Sequence, residues 1–433
     1  MDNRKDEIAI FWFRRDLCLQ DNIGLFHALK NRFKVLPLFI FDEDILEELP
    51  KDDSRVNFIY DTLNNIHLEL LKINSSLLIK NGKVIEVWKK LLSEYDIRQV
   101  FFNKDYEPYA IKRDDLVSKL LQTKGVEVST YKNDVIFEEK DVLKDDGLSY
   151  TVYTPYKNKW LRLLKPKHFQ SVTIDKDMLG NFYQIKIDFP SLQHIGFIKG
   201  DHKVLAYNLE SISDYEKYRD YPALDKTSYL SPHLRFGTVS TRKLVSHAHT
   251  KNQTFLNELI WREFFKQILF HFPKVVTHNF KSAYDGIAWR ENESDFELWC
   301  QGKTGYPLVD AGMRQLNKTG YMHNRVRMVT AGFLCKHLLM NWKLGEAYFA
   351  EKLLDYELSS NNGNWQWAAG TGCDAAPYFR VFNPETQLKK FDKDLKYVKK
   401  WVPEYDKDYY PPMVEHKFAR ERAIETYKKG IVR

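Results

Sequence analysis

Long apolar runs are missing from this chain of 433 residues. The first apolar stretch, Ile8 to Phe13, is far too short for a signal peptide or a membrane span, so the expected place of the protein is the cytoplasm, with no membrane partner. Cysteine is scarce as well. Cys18, Cys300, Cys335 and Cys373 are scattered, with no Cys-x-x-Cys pair and no histidines at matching spacing. A disulfide framework and a metal site are both disfavoured, and structural thiols are expected. Low-complexity tracts and internal repeats are absent. So is the glycine-rich phosphate loop of a dinucleotide-binding site: Phe13-Arg14-Arg15-Asp16 stands where a Gly-x-Gly-x-x-Gly would follow the first strand.

What is present describes a folded chain of two domains, with 43% hydrophobic and 29% charged residues. The net charge of +7 permits a polyanionic partner without demanding one. Aromatic residues reach 15%, and seven of the ten tryptophans follow residue 200. Core packing accounts for most aromatics in most proteins, so the excess directs attention to the C-terminal half.

Residues 8 to about 132 alternate β-rich runs (Ile8–Phe13, Val35–Phe41, Ser76–Lys80, Gln99–Asn103, Val126–Tyr131) with amphipathic stretches, one opening at Ser54 as an N-cap and another over Val84–Glu94. This βαβα order predicts a Rossmann-like α/β domain, a parallel sheet with helices on both faces and ligands beyond the strand C-termini. From 133 to 200 the pattern dissolves into an acidic, turn-rich stretch interrupted by Pro166 and Pro190, which reads as a long connection. From 201 to 433 the periodicity is helical almost throughout (Asn252–Phe272, Tyr306–Thr319, His323–Asn341, Gly345–Glu357), predicting an all-α second domain.

Four segments of that half could carry chemistry. On a helix, Glu258, Trp261 and Arg262 share one face, suited to hydrogen-bonding and stacking on a planar heterocycle; a Glu–Arg surface pair beside a half-buried Trp is the plainer alternative. In Met322–Met328, Asn324, Arg327 and Met328 share a face, while Arg325 points elsewhere and could meet a phosphate. Arg327 has apolar neighbours and needs an anion, which Asp355 or Glu357 could supply. In Ser359–Gly370, Trp365 and Trp367 fall about 200° apart if helical, so that one could serve a buried cofactor and the other a substrate; two core tryptophans are the alternative. Thr227–Pro232 brings hydroxyls ahead of a helix, with Ser231 before Pro232 resembling an N-cap and N1 proline.

Taken together, these segments resemble the photolyase/cryptochrome family, over nearly the whole chain. The resemblance begins with Trp12–Leu17 and Asp21-Asn22, continues through Thr154-Pro155-Tyr156, Arg219–Pro222 and Leu230-Ser231-Pro232, and is densest from Trp261–Phe264 through Lys303–Pro307 to Ala375–Arg380. It implies an N-terminal α/β antenna domain, an interdomain loop and a helical domain holding FAD, which is reduced in the active state. The flavin contacts it implies are Tyr215, Thr227, Ser228, Tyr229, Leu230, Ser231, Phe255, Glu258, Arg262, Asn324, Arg327, Asp355, Tyr356, Glu357 and Asn361. Tyr229 and Glu357 stand where relatives usually have Arg and Asp, and Phe255 where Trp is common. The resemblance places Asn361 beside the flavin's reactive nitrogen and Glu258 on the polar edge of a flipped-out pyrimidine dimer. It makes Trp261 and Trp367 the walls of the dimer pocket with Met328 beside them, and sets Arg219, Arg325 and Arg380 on DNA phosphates. Trp289, Trp342 and Trp365 match its electron-relaying tryptophan chain.

Within the family the chain is most like class I enzymes acting on cyclobutane pyrimidine dimers. The (6-4) photolyases have two adjacent histidines where this chain has His323-Asn324, and signalling cryptochromes often replace the asparagine at Asn361 and extend further at the C-terminus. The expected partner is damaged DNA and the expected state a monomer. Tyr109-Ala110 follows Tyr106-Glu107-Pro108 where folate-binding relatives have Asn-Glu, which leaves a deazaflavin, another flavin or no second chromophore open.

Overall fold

Alternate residues of the first strand face opposite ways, and both sets are apolar, so the strand must be covered on both sides. In the computed structural model, which describes residues 6–431, it becomes the centre of a five-stranded parallel sheet. β1 (Glu7–Phe13), β2 (Lys34–Asp42), β3 (Leu78–Gly82), β4 (Asp96–Asn103) and β5 (Glu127–Tyr131) lie in the order β3-β2-β1-β4-β5. Ile8, Ile10 and Trp12 pack with Trp88, Leu91, Val117 and Leu121 of helices Val84–Glu94 and Pro108–Thr123. Ala9, Phe11 and Phe13 pack with Leu25, Leu63, Ile66 and Leu70 of helices Ile23–Leu29 and Ser54–Leu71. Pro37 is tolerated inside β2 because it follows the bridge of Val35 to Phe182 and precedes the start of β3 pairing at Leu38, so no neighbouring strand needs its missing N–H. The N-cap expected at Ser54 belongs to Asp53, whose carboxylate accepts from Arg55 N at 2.8 Å; Ser54 is the first helical residue.

Two compact units divide the chain: one holds the residues up to Glu138 with Leu164–Ala206 and Leu230–His247, the other Glu139–Leu163, Tyr207–Tyr229 and the residues from Ala248 on. The stretch 133–200 is therefore shared out. Ile174, Phe182, Ile195 and Phe197 are buried in the first unit's core. Helix Tyr153–Leu163 packs on helix Gln253–His271 in the second, where Trp160 Nε1 donates to Glu263 Oε1 at 2.7 Å.

The second unit contains helices and no named strand among the described residues. Asn252 caps Gln253–His271, accepting from Phe255 N at 2.9 Å, and helix Pro307–Thr319 matches its expected span within a residue. The single helix expected over His323–Asn341 is a correction. Asn324–Gly332 is α-helical, Phe333–His337 widens into a π turn, and Leu339 takes a left-handed φ of 54° that ends the element. The helix expected over Gly345–Glu357 runs instead from Trp342 to Lys352, capped by Asn341, which leaves Asp355, Tyr356 and Glu357 in the link before helix Leu358–Ala369. Ser231 is likewise no N-cap: the helix begins at Leu230, and Pro232 sits within its first turn. Helices Trp342–Lys352 and Leu358–Ala369 meet where Gly345 faces the Trp365 ring; a Cβ there would lie inside van der Waals contact of the indole. No helix of the described residues is long and apolar enough to cross a membrane.

Candidate functional site

Helix Gln253–His271 organises the second unit's polar interior because charged residues recur along it among apolar ones. Glu258 pairs not with Arg262 but with Arg219, Nη1 to Oε1 at 2.7 Å, and the Arg219 guanidinium lies 5.0 Å from the Tyr215 ring centroid. Tyr215 meets Phe255 edge-on at 5.1 Å. Trp261, half-buried, stacks face to face on Tyr153 at 3.6 Å and 7°; Tyr153 also donates to Asn257 O at 2.8 Å. Arg262 reaches the buried Glu357 at 3.1 Å. The surface Glu–Arg pair is thus replaced by two buried or half-buried ion pairs that point to different partners.

The link and helix that follow Lys352 face this array. Of the two anions considered for Arg327, Asp355 supplies it at 2.9 Å, while Arg327 Nε donates to Met322 O at 2.8 Å. The other oxygen, Asp355 Oδ1, and Ser359 Oγ are buried without a hydrogen-bond partner among the described residues. Asn361 donates both to Glu346 O at 3.0 Å and to Glu346 Oε1 at 2.9 Å, which fixes the amide and turns its carbonyl oxygen away from that carboxylate. Burial pushes the Glu346 carboxyl up. Tyr356 and Trp367 are half-buried.

His323 caps helix Asn324–Gly332, its Nδ1 accepting from Arg325 N at 3.2 Å. Asn324 behind it is exposed. Arg325 pairs with Asp220 at 2.6 Å, covers the Phe391 ring at 4.4 Å and touches Met328. Arg380 is exposed. In the 225–229 loop, Asp225 and Tyr229 both adopt left-handed φ, 48° and 54°, a strained choice for tyrosine. The Tyr229 hydroxyl donates to Asp225 and its ring meets Tyr321 at 5.4 Å. Thr227 and Ser228 precede it half-buried. Leu230, buried, and Ser231, exposed, belong to the first unit.

Of the three tryptophans matched to a relay, Trp365 and Trp342 are buried and Trp289 is half-buried against Tyr427 at 5.7 Å. No two of the three rings stack among the described residues. Trp365 instead touches Phe349 at 4.9 Å and Trp299 at 6.1 Å. Four residues of this region escaped the sequence reading: Tyr153, Lys266, Trp299 and Glu346. Only Lys266, a lysine within a long apolar helix, left a local signal.

In the first unit the strand order reverses between β1 and β4, where an α/β sheet receives ligands. The crevice there, about 20 Å³, is lined by Arg14, Arg15, Asp16, Asn103, Lys104, Asp105, Asn133 and Asp134. Its charges are paired within the unit: Arg14 with Asp114, and Arg15 with Glu107 at 2.5 Å. Tyr109 donates to Asp42 at 2.8 Å.

Burial lowers His323 from an ordinary 6.5 to about 4, so it is neutral when folded, as a cap that accepts a hydrogen bond must be. The unfolded chain binds this proton first. Its contribution to stability is complete above pH 6.5 and is lost as pH falls from 6.5 through about 4. His323→Asn keeps the cap without the titration, and urea midpoints across that window should fall less steeply for it than for the parent.

A parallel α/β unit is thus followed along the chain by a helical unit with ion pairs and aromatic rings in its interior. The description "DNA photolyase" matches residues 9–173 and "FAD binding domain of DNA photolyase" residues 255–407. The chain is 33% identical to a deoxyribodipyrimidine photo-lyase of Agrobacterium fabrum over 97% of each chain. A crystal structure of a bacterial class III photolyase from Agrobacterium tumefaciens superposes with a TM-score of 0.87 at 31% identity, covering 99% of this chain and 98% of that one. An archaeal photolyase from Sulfolobus tokodaii, described as holding two FAD molecules, gives 0.85 at 34% identity over 98% of this chain and 100% of that one. The chain belongs to the DNA photolyase family and carries its FAD-binding domain.

Proposed function

We propose that this protein repairs cyclobutane pyrimidine dimers in DNA with light. Reduced FAD, when bound, would supply the light-driven electron chemistry for this repair. The polar interior of the second unit fits such a group: Asp355 Oδ1 and Ser359 Oγ are buried acceptors and donors awaiting partners, and Arg262 and Arg327 are held by carboxylates. Tyr215, Phe255, Arg262, Asn324, Arg327, Asp355, Tyr356, Glu357 and Asn361 of that unit would hold it, with Thr227, Ser228 and Tyr229. Asn361, locked by Glu346, would offer a fixed amide oxygen to the flavin's reactive edge.

Glu258 would hydrogen-bond the polar edge of the dimer and orient it in the pocket. Trp261, backed by Tyr153 on one face, would present a rigid wall, with Trp367 and Met328 completing the pocket for a pyrimidine dimer flipped out of the stack. Arg219, Arg325 and Arg380 would meet phosphates and position the duplex without reading its sequence.

The substrate choice rests on His323 and Asn324. An oxygen transfer between bases, as in a (6-4) product, calls for an acid, whereas splitting a cyclobutane ring calls only for an electron. Asn324 has no such proton, and His323 is occupied as a helix cap and held neutral by burial. This supports cyclobutane repair, in class I or in the class III to which the Agrobacterium structure belongs.

The test is to incubate FAD-loaded, reduced protein with dimer-containing DNA in darkness and under blue light. Light-dependent loss of dimers is expected, with (6-4) products untouched. Unchanged dimers under light would leave a flavoprotein light sensor as the better reading.

A further inference from the structure

The Trp261 ring is held from outside its own helix. Tyr153 lies against one face at 3.6 Å and 7°, and its hydroxyl donates at 2.8 Å to the carbonyl of Asn257, one helical turn before Trp261. The phenol is thus fixed to the helix at two points a turn apart. Burial, and after it the charge of Glu258, push the Tyr153 phenol up, so it stays a donor. Phe264 meets Trp261 edge-on at 5.6 Å and Phe265 is tilted to it at 5.5 Å, which leaves Tyr153 as the ring that stacks face to face on it among the described residues. Tyr153 is itself the first residue of its helix, and its N–H donates to Asp374 Oδ2 at 3.1 Å. A carboxylate at a helix start satisfies an orphan N–H and meets the positive end of the helix dipole. Asp374 is half-buried with a left-handed φ of 47°, in the stretch that follows Gly370, where the helix carrying Trp367 ends. The backbone that follows one wall, Trp367, therefore holds the helix whose first side chain holds the other wall, Trp261.

We propose that Tyr153 and Asp374 are positioning residues that set the preference for damaged DNA: Asp374 fixes the start of helix Tyr153–Leu163, and Tyr153 keeps the Trp261 indole in the attitude in which it stacks on a flipped-out dimer. An indole free to change rotamer must be ordered as the dimer arrives. That cost falls on the damaged duplex alone, because contacts to phosphates do not involve Trp261. This rests on Trp261 being a wall of the dimer pocket.

Equilibrium binding of the FAD-loaded protein in darkness, to a duplex holding one cyclobutane pyrimidine dimer and to the same duplex undamaged, reads the effect as a ratio of affinities. Tyr153→Leu removes the stack and is expected to lower that ratio about tenfold, with binding of the undamaged duplex unchanged. Tyr153→Phe keeps the ring and should recover most of the ratio. Asp374→Ala should lower it in the same direction, and Asp374→Asn, which retains an acceptor for the Tyr153 N–H, should recover it. Residues that only support the fold would lower the urea midpoint and leave the ratio of the folded protein at the parent value. That outcome in Tyr153→Leu overturns the proposal, as does a Tyr153→Phe protein as poor as Tyr153→Leu. If Tyr153→Leu does not fold, Asp374→Ala decides by the same ratio, an unchanged value again overturning it. A parent protein that binds both duplexes equally would instead remove the dimer-pocket reading on which this one stands.

Discussion

Trp342→Phe should abolish photoreduction of oxidised flavin and leave repair by chemically pre-reduced protein unchanged. Trp342 is 1% exposed, and its Nε1 donates to Asn279 Oδ1 at 2.8 Å. Phenylalanine keeps most of the ring in the same core, so the structural loss is one hydrogen bond, about 1 kcal/mol. What disappears is an indole that can be oxidised by its neighbour; a phenyl ring cannot carry that charge. The relay proposed over Trp365, Trp342 and Trp289 is then cut in the middle, while Glu258, Trp261 and Trp367 are untouched. Illumination with an external reductant, followed by flavin absorbance, checks the first half, and dimer loss under light checks the second. Photoreduction equal to the parent's would show that electrons leave by another route. Trp299, against Trp365 at 6.1 Å, is the ring already in place to provide one.

Asp310→Ala should destabilise the helical unit by about 3–5 kcal/mol, the loss usual when one partner of a buried charged network is removed. The Asp310 carboxylate is fully buried and accepts four hydrogen bonds: Thr304 N at 2.8 Å, Thr304 Oγ1 at 2.6 Å, Gly305 N at 3.1 Å and Tyr409 OH at 2.6 Å. Alanine strands both Thr304 donors and Gly305 N away from water and leaves the half-buried Tyr409 hydroxyl without its acceptor. Urea unfolding monitored by helical circular dichroism measures the change, and a midpoint shift worth less than about 1 kcal/mol would show that water replaces the carboxylate. The Lys303–Pro307 run, among the densest points of family resemblance, thus does its work as scaffold: it threads the turn that Asp310 holds ahead of helix Pro307–Thr319.

The sheet was legible because its signal is local. Two-residue alternation with both faces apolar marks β1 and β2 from their own sequence, and helix Val84–Glu94 lies where periodicity alone puts it. The break after Gly332 was not legible, since nothing in Phe333–Asn341 forbids a continuous helix; the π turn and the left-handed Leu339 are settled by what packs around them. Site residues followed the same division. The shared face of Glu258, Trp261 and Arg262 follows from helical spacing, but the partner of Glu258 is Arg219, 39 positions away. Glu346 reads as an ordinary helix residue and Tyr153 as part of a connection, and only tertiary contact shows one clamping Asn361 and the other backing Trp261. The family resemblance named candidate residues without showing how they are paired.

The pairs of Arg219 with Glu258 and Arg325 with Asp220 bear on how the protein would search a genome. A phosphate that engages either guanidinium must first compete with a carboxylate already in place, so each contact to ordinary duplex returns less than a free arginine would. On the proposed function, residence on undamaged DNA would be shortened accordingly. A dimer that drew Glu258 to itself would release Arg219 to the backbone at the same moment, so that lesion capture and tight holding would become one event.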